Sequence, residues 1–197
     1  MMTLRVQRMS GTAIKPYIPD LARLRIEVFR DYPYLYDGDE VYENRYLENY
    51  AASPDSLIVT ALDGDKVVGA ATAMPLKNAA PEVQYPFSAQ DFHLDEIYYF
   101  GESVLQQQYR GQGIGVKFFE EREAYAQEKQ FNYAVFCAVE RPLIHPGRPI
   151  DYVPLDRFWY KRGYQKRAEL HTAFTWKEIG EAKPSEKPMI FWMKRFR

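Results

Sequence analysis

The stretch Gln108–Glu123, QYRGQGIGVKFFEERE, holds three glycines within five residues and then continues directly in a helical pattern. It follows the segment IYYFGESVL, residues 97–105, whose apolar and aromatic side chains predict a β-strand. A glycine-rich turn between a strand and a helix leaves several backbone N–H groups unpaired at the positive end of the helix dipole. Such an arrangement binds anions, phosphate above all. Gly111, Gly113 and Gly115 are more than a tight turn requires, so we expect a phosphate-bearing ligand here.

Two common nucleotide motifs do not fit this stretch. The dinucleotide pattern G-x-G-x-x-G, started at Gly111, requires a glycine where the chain has Val116, and the Walker pattern G-x-x-x-x-G-K-[ST] fails at the same residue. A dinucleotide-binding fold also places its glycines after the first strand of a parallel unit, whereas here several predicted strands come before them. A phosphate-bearing ligand of another kind is therefore expected.

Composition and charge argue against several classes of protein. In 197 residues, 26 Lys and Arg nearly balance 27 Asp and Glu, so no overall charge favours a nucleic acid or a membrane surface as partner. No apolar run approaches the roughly 18 residues of a membrane-spanning helix, and no secretory leader is expected. The single Cys137 allows no internal disulfide, and no Cys/His spacing predicts a metal site. We expect a soluble, cytoplasmic protein without a metal.

The sequence predicts a single mixed α/β domain over residues 1–197, since it contains no internal repeat and no linker. Asp63-Gly64-Asp65 stands between two apolar runs and is a strong hairpin signal. The predicted order of elements is a strand, two helices, three strands, the glycine motif with its helix, a strand, a short helix and two strands.

At this point the chain resembles a known family. The segment SVLQQQYRGQGIG, residues 103–115, is similar to motif A of the GNAT superfamily of acyl-CoA-dependent N-acyltransferases, whose signature Q/R-x-x-G-x-G/A corresponds to Arg110–Gly115. The order of elements over nearly the whole chain resembles the family layout, and so does the aromatic segment FWYKRGY, Phe158–Tyr164. The resemblance implies a central mixed, mostly antiparallel sheet that is flanked by helices and splayed between the fourth and fifth strands.

The resemblance also implies that acetyl-CoA is the acyl donor. The end of the fourth strand, Val104, Leu105 and Gln106, is then expected to pair with the pantetheine as an added strand would. The splay, near residues 103–105 and 138–140, would admit the thioester. The coenzyme A pyrophosphate is expected to lie on the backbone N–H groups of the glycine motif: Arg110, Gly111, Gln112, Gly113, Ile114, Gly115 and Val116.

Acyl transfer to an amine requires a neutral nucleophile, a polarised thioester carbonyl and a protonated leaving thiolate. A carboxylate near the splay can accept the amine proton directly or through water, and Glu102 on the fourth strand is the best candidate. Asp95 and Glu96 lie further back along the chain. Glu102 is equally compatible with an ordinary strand glutamate that faces solvent or an arginine. A backbone N–H near Val104 or Leu105 is expected to hold the thioester oxygen.

The chain departs from the family at the proton donor. The family usually has a tyrosine four residues before the glycine that ends the fourth helix, and this chain has Trp159 there. Tyr160 follows by one residue, which turns a helical side chain by about 100°. Three alternatives stay open: Tyr160 reaches the sulfur through a local shift, Tyr152 donates the proton, or the thiolate leaves without an enzyme acid.

The expected function is transfer of an acetyl group from acetyl-CoA to a primary amine of a small molecule or peptide, by direct attack in a ternary complex. The loop RDYPYLYDGDE, residues 30–40, is rich in tyrosine and acid and would suit a cationic, partly apolar amine, although its tyrosines are equally suited to packing. The alternative is a non-catalytic acyl-CoA-binding sensor or interaction module on the same fold. A homodimer, with the last two strands paired between subunits, stays open.

Overall fold

The computed structural model describes residues 4–196, so residues 1–3 and 197 of the predicted domain lie outside the described part. The described residues form seven strands and five α-helices, joined in places by short 3-10 turns. In chain order these are β1 (Leu4–Met9), α1 (Ile18–Phe29), α2 (Glu40–Ala52), β2 (Leu57–Asp63), β3 (Lys66–Pro75), α3 (Pro81–Ser88), β4 (Ile97–Leu105), α4 (Ile114–Glu128), β5 (Tyr133–Val139), α5 (Asp156–Lys161), β6 (Gln165–Trp176) and β7 (Ser185–Arg195).

All seven strands belong to one sheet, in the order β1-β2-β3-β4-β5-β7-β6. Every neighbouring pair is antiparallel except β4 and β5, which run parallel. That parallel pair is short, because residues 97–99 of β4 pair with residues 133–135 of β5 and the pairing then stops. Both strands continue beyond this point, β4 to Leu105 and β5 to Val139, so they separate. The predicted splay between the fourth and fifth strands is confirmed.

Helices cover both faces of the sheet. On one face α1 and α2 bury side chains such as Leu21, Leu24 and Leu47, and on the other face α4 buries Phe118 and Phe119. Full burial of such a side chain contributes about 1.5–3 kcal/mol, so the two apolar helix faces fix the helices on the sheet. Mixed α/β architecture with a mostly antiparallel sheet is therefore confirmed.

Helix α3 is not among the predicted elements, because Pro81 and Pro86 make its sequence look like a loop. Pro81 occupies the first helical turn, where a missing N–H costs nothing. The helix buries Phe87, whose ring lies 4.9 Å from that of Phe191 on β7. The hydroxyl of Thr172 on β6 donates a hydrogen bond of 2.8 Å to the Glu82 carbonyl. Helix α3 thus adds a third wall on the face covered by α1 and α2.

Candidate active site

The glycine motif forms the N-terminus of α4, as the sequence predicts. Gly111 and Gly113 adopt left-handed φ values of 75° and 81°, which explains the glycine at each position. Between residues 4 and 196, no acceptor is found for the backbone N–H groups of residues 111–116, and Lys117 donates the first helical bond, 3.1 Å to the Gly113 carbonyl. This cluster of open N–H groups at a 15-residue helix can bind an anion.

The end of β4 lies directly beside this anion site. The Nε of Arg110 donates a hydrogen bond of 3.1 Å to the Leu105 carbonyl. The backbone N–H of Gln106 donates 3.0 Å to the Val68 carbonyl on β3, and its side chain donates to Glu27. Because successive residues of a strand direct their backbone groups to opposite sides, Leu105 points its N–H and carbonyl into the splay, whereas Val104 bonds toward β3 like Gln106.

A β-bulge sets the direction of Glu102. Phe100 pairs with Ala73 and Ser103 with Ala71, so Gly101 and Glu102 together oppose a single β3 residue. The extra residue turns the Glu102 side chain toward α1 and α2 instead of α4. The bulge is anchored on β3, where the Thr72 hydroxyl accepts a hydrogen bond of 3.2 Å from the Glu102 N–H.

The Glu102 carboxylate belongs to a buried charge cluster. Its Oε2 lies 2.7 Å from Nη1 of Arg25 and accepts a hydrogen bond of 3.2 Å from Tyr46. The same guanidinium bonds through Nε to Glu43, which also accepts 2.7 Å from the Tyr36 hydroxyl. Burial acts to lower the pKa of Arg25, but Glu102 and Glu43 outweigh it and hold that pKa well above its ordinary value. An ordinary strand glutamate is expected to face either solvent or an arginine. The Glu102 carboxylate faces an arginine, Arg25.

One oxygen of Glu102 is left over. Its Oε1 is buried, and no hydrogen-bond partner for it exists among residues 4–196. A buried carboxylate oxygen without a partner is costly, so this atom is ready to receive a donor from a ligand.

Arg122 supports the bulge from the opposite face of the sheet. Its Nη1 donates to the carbonyls of Thr72 and Glu102 at 3.2 Å and 3.3 Å, and its Nη2 donates 2.8 Å to the Ser103 hydroxyl. Burial lowers the pKa of Arg122 to about 10, which still leaves it charged at neutral pH. The sequence does not reveal this role, since FFEERE reads as an ordinary helix surface.

Between residues 4 and 196, no hydrogen bond joins Glu102 to either predicted proton donor, Tyr160 or Tyr152. Tyr160 is 55% exposed, with its ring 4.9 Å from that of Trp192, on the face of the sheet that carries α4. Trp159 packs between Phe136 and Trp192 on that face. Tyr152, in the loop before α5, places its ring 4.7 Å from that of Tyr32.

Tyr34 lies at the splay, although the sequence places it in the tyrosine-rich loop expected to suit a cationic amine and gives it no role as a proton donor. Its hydroxyl lies near the Val139 backbone N–H and Cys137 on β5. The next N–H, that of Glu140, bonds 2.9 Å to Pro188 on the β7 side, so the Val139 N–H faces the splay. Burial raises the pKa of Tyr34 well above its ordinary value. No periodicity or motif in the sequence marks this tyrosine.

A cavity of about 930 Å³ opens on the face covered by α1, α2 and α3. Its floor contains Tyr99, Glu102 and Cys137, at the point where β4 and β5 separate. Glu102 therefore stands between the cavity on one side and the end of β4 with its open amides on the other.

Between residues 4 and 196, no helix is long and apolar enough to span a membrane. Within the same range, no group of three or more His, Cys, Asp or Glu side chains is arranged to hold a metal ion.

Comparison with solved structures gives many chains of the same fold. A ribosomal-protein-alanine N-acetyltransferase from Brucella melitensis is 14% identical, with a TM-score of 0.63 over 98% of this chain and 99% of that one. A putative acetyltransferase from Acinetobacter baylyi is 12% identical, with a TM-score of 0.62 over 100% and 94%. The PaiA N-acetyltransferase from Thermoplasma acidophilum, solved in complex with coenzyme A, is 11% identical, with a TM-score of 0.56 over 99% and 100%. At these identities the likeness is one of fold alone.

Comparison with curated protein sequences gives no match. The model of the acetyltransferase (GNAT) family matches residues 21–145, more than half of the 197 residues. That range contains β4, its bulge and the N-terminus of α4. The chain therefore belongs to the GNAT family of acetyltransferases.

Proposed function

We propose that this protein transfers an acetyl group from acetyl-CoA to a primary amine of a small molecule or peptide, by direct attack in a ternary complex. The position of Glu102 is the observation that carries the proposal. This residue lies on a bulge between the splay and a cavity large enough for an acceptor, and one of its buried carboxylate oxygens has no hydrogen-bond partner among residues 4–196. We take residues 1–197 as one such domain, since helices α1, α2 and α4 share a single sheet.

In this proposal acetyl-CoA lies along the end of β4. The open N–H groups of residues 111–116 bind the pyrophosphate, and charge-assisted hydrogen bonds of this kind contribute roughly 1.5–3 kcal/mol each. The Arg110 N–H, also predicted to take part, instead donates a hydrogen bond of 3.1 Å to the Gln107 carbonyl. The pantetheine pairs with the last residues of β4, where the N–H and carbonyl of Leu105 face the splay. The thioester carbonyl is then close to the N–H groups of Ser103 and Leu105, which face the splay, and one of them stabilises the developing oxyanion. The Val104 N–H, also predicted for this role, bonds toward β3 instead.

The amine arrives as an ammonium ion and first loses a proton. With a pKa near 10.4, an alkylammonium costs about 4–5 kcal/mol to deprotonate at pH 7. Glu102 accepts this proton directly or through a water, and Arg25 holds the carboxylate in place. The nitrogen then attacks the acetyl carbon, the C–N bond forms and the C–S bond breaks. The amide nitrogen releases its second proton, and the thiolate takes one up to leave as the coenzyme A thiol.

Three tyrosines are candidates for the donor of that last proton. Tyr160 and Tyr152 stay predictions from the family pattern. Tyr34 joins them because its buried hydroxyl lies beside the Val139 N–H, which faces the splay. A phenol held this way can donate to a thiolate formed between β4 and β5.

The proposal is tested by following coenzyme A thiol release and the mass of the acetylated amine with a set of small primary amines. The variant Glu102→Gln should lower kcat by about 100-fold or more, as expected for the loss of a general base. Its affinity for acetyl-CoA, measured by calorimetry, should stay within about two-fold because only binding to β4 and α4 holds the coenzyme. In the same assay, the Phe variant of the true proton donor among Tyr34, Tyr152 and Tyr160 should lose kcat alone.

Glu48→Gln is the matched control, since Glu48 is an exposed carboxylate on α2 that does not line the cavity. It should leave kcat unchanged. If the unmodified protein binds acetyl-CoA but acetylates no amine, the chain is an acyl-CoA-binding module and the catalytic proposal fails. Full activity of Glu102→Gln would remove Glu102 from the mechanism.

A further inference from the structure

One side of the cavity is closed by the connection of the α1–α2 loop to the end of β6. The Asp37 N–H donates 2.9 Å to the Lys177 carbonyl, and the Ile179 N–H donates 2.8 Å to the Leu35 carbonyl. The Trp176 indole adds a third bond, 3.0 Å to the Tyr34 carbonyl. Because these bonds join the two segments, an extended peptide cannot lie across this side of the cavity.

The opposite side of the cavity faces solvent between α2 and α3. Tyr42 on α2 is 56% exposed, and Asn49 and Glu82 at the same rim are exposed too. With a volume of about 930 Å³, the cavity lies in the size range of small-molecule sites. Its size, together with the closed side at β6, therefore suits a compact acceptor that enters between α2 and α3.

Aromatic side chains make up much of the cavity wall. They come from α1, α2, β4 and β6 and include Phe29, Tyr46, Tyr50, Tyr99, Phe174 and Trp176. Aromatic contacts of suitable geometry add about 0.5–1.5 kcal/mol beyond the area they bury, and such rings also attract cations. The wall therefore favours an acceptor that carries a ring next to its amine.

The charges in the cavity favour a single cation. Arg25 and Lys177 are the two cationic residues among its described lining, and both are already ion-paired, Arg25 to Glu43 and Glu102, and Lys177 to Asp37. A substrate carboxylate or phosphate would thus be buried without a cationic partner, which is unfavourable. With both glutamates ionised, the cluster around Arg25 carries one net negative charge, and the free Glu102 Oε1 offers the place to match it with one ammonium group.

From these observations we infer that the acceptor is an arylalkylamine, a small primary amine with an aromatic ring and no carboxylate or phosphate. This inference rests on the proposed function and names its substrate class. The ammonium group binds at Glu102 Oε1 and the ring packs among the tyrosines and Trp176. An aniline does not fit, because its nitrogen is uncharged at neutral pH and brings no cation to Glu102.

The test compares kcat/KM for four probe amines with acetyl-CoA at saturation: phenethylamine, phenylalanine, butylamine and spermidine, with a short peptide bearing a free N-terminus as the fifth. We expect phenethylamine to exceed phenylalanine by about 30-fold or more, because the two differ by one carboxylate that would be left unpaired. It should exceed butylamine by about ten-fold, through the contacts of its ring.

Phe174→Ala removes an aromatic wall from the edge strand β6 and should narrow the ratio of phenethylamine to butylamine, mainly through KM. Tyr85→Ala is the matched control, because Tyr85 is 72% exposed on α3 and does not line the cavity. It should leave the ratio unchanged.

The outcomes separate the two proposals. If phenylalanine, spermidine or the peptide is the preferred acceptor, the substrate class is wrong and acetyl transfer to an amine stands. If acetyl-CoA binds and none of the five probes is acetylated, the inference is wrong and the proposed function fails with it. A ratio that Phe174→Ala leaves unchanged would also overturn the aromatic part of the inference.

Discussion

Gly101 determines whether the Glu102 carboxylate can point into the cavity. A Cβ at this position would lie 2.1 Å from the Tyr50 hydroxyl and 2.6 Å from the Thr72 hydroxyl. Only glycine therefore fits at this position of the bulge without a shift of its neighbours. We expect Gly101→Ala to destabilise the protein by about 1–3 kcal/mol, the usual cost of overpacking a core. Urea unfolding measures this loss, and kcat should fall with it because the bulge moves.

Two variants make that result interpretable. Gly115→Ala is the control for the urea measurement alone, because its Cβ would lie 3.6 Å from Phe158, an ordinary contact, and helical alanine is favourable. Adding Tyr50→Phe to Gly101→Ala removes the nearest clashing oxygen and should restore part of the lost stability. If Gly101→Ala alone unfolds at the same urea concentration as the unmodified protein, the close approach of Tyr50 is wrong.

At this scale the sequence can single out a carboxylate but not its surroundings. Glu102 stands out because it lies on a strand that leads into the glycine motif. Its partners Arg25, Glu43 and Tyr46 come from two helices much earlier in the chain, and only the packing of those helices on the sheet brings them together. Tyr34 is hidden for the same reason, since its contact with Val139 depends on a loop conformation.

At the scale of the element, the N-terminus of α4 depends on left-handed glycines. Alanine at the φ of 81° of Gly113 costs about 1–2 kcal/mol, so the turn will rearrange and misalign the open N–H groups. We expect Gly113→Ala to weaken acetyl-CoA binding by about ten-fold in calorimetry. Gly180→Ala is a matched control, with a φ of 90° and, like Gly113, no atom within 4 Å of its Cβ. Equal Kd values for the two variants would argue against the α4 amides as the anion site.

Elements with a clear local signal are the ones that the sequence predicts well. The predicted strand at residues 97–105 has the bounds of β4, and the glycine motif begins α4. Helix α3 has no such signal, because prolines interrupt it and its stability comes from Phe87 and the bond from Thr172. Strand β7 starts at Ser185, before the apolar run that begins at Met189, since its first residues pair with β6 without being apolar.

At the scale of the whole molecule, the order of elements is sufficient to predict the sheet and its splay, but not the cavity. The cavity wall takes side chains from three helices, α1, α2 and α3, and from five strands, β3 to β7, and α3 is itself absent from the prediction. The splay and the cavity meet at Cys137, which lies on the cavity floor and pairs across the sheet with Phe191 of β7. The only cysteine in the chain therefore lies where the cavity floor meets the gap between β4 and β5.

The reactivity of Cys137 therefore reports whether its thiol is buried at the cavity floor in the folded protein. Burial raises the pKa of Cys137 from 9.0 to about 12, so at pH 8 the folded protein holds on the order of 10⁻⁴ of it as thiolate, against about a tenth when unfolded. We expect iodoacetamide at pH 8 to label the folded protein about 1,000-fold more slowly than the urea-unfolded protein, followed by mass spectrometry. The raised pKa also means that the free energy of unfolding falls as the pH rises from about 9 towards 12, because only the unfolded thiol ionises readily there. Rapid labelling of the folded protein would mean that the Cys137 thiol is accessible and ionises readily in the folded state, and its burial at the cavity floor would then be wrong.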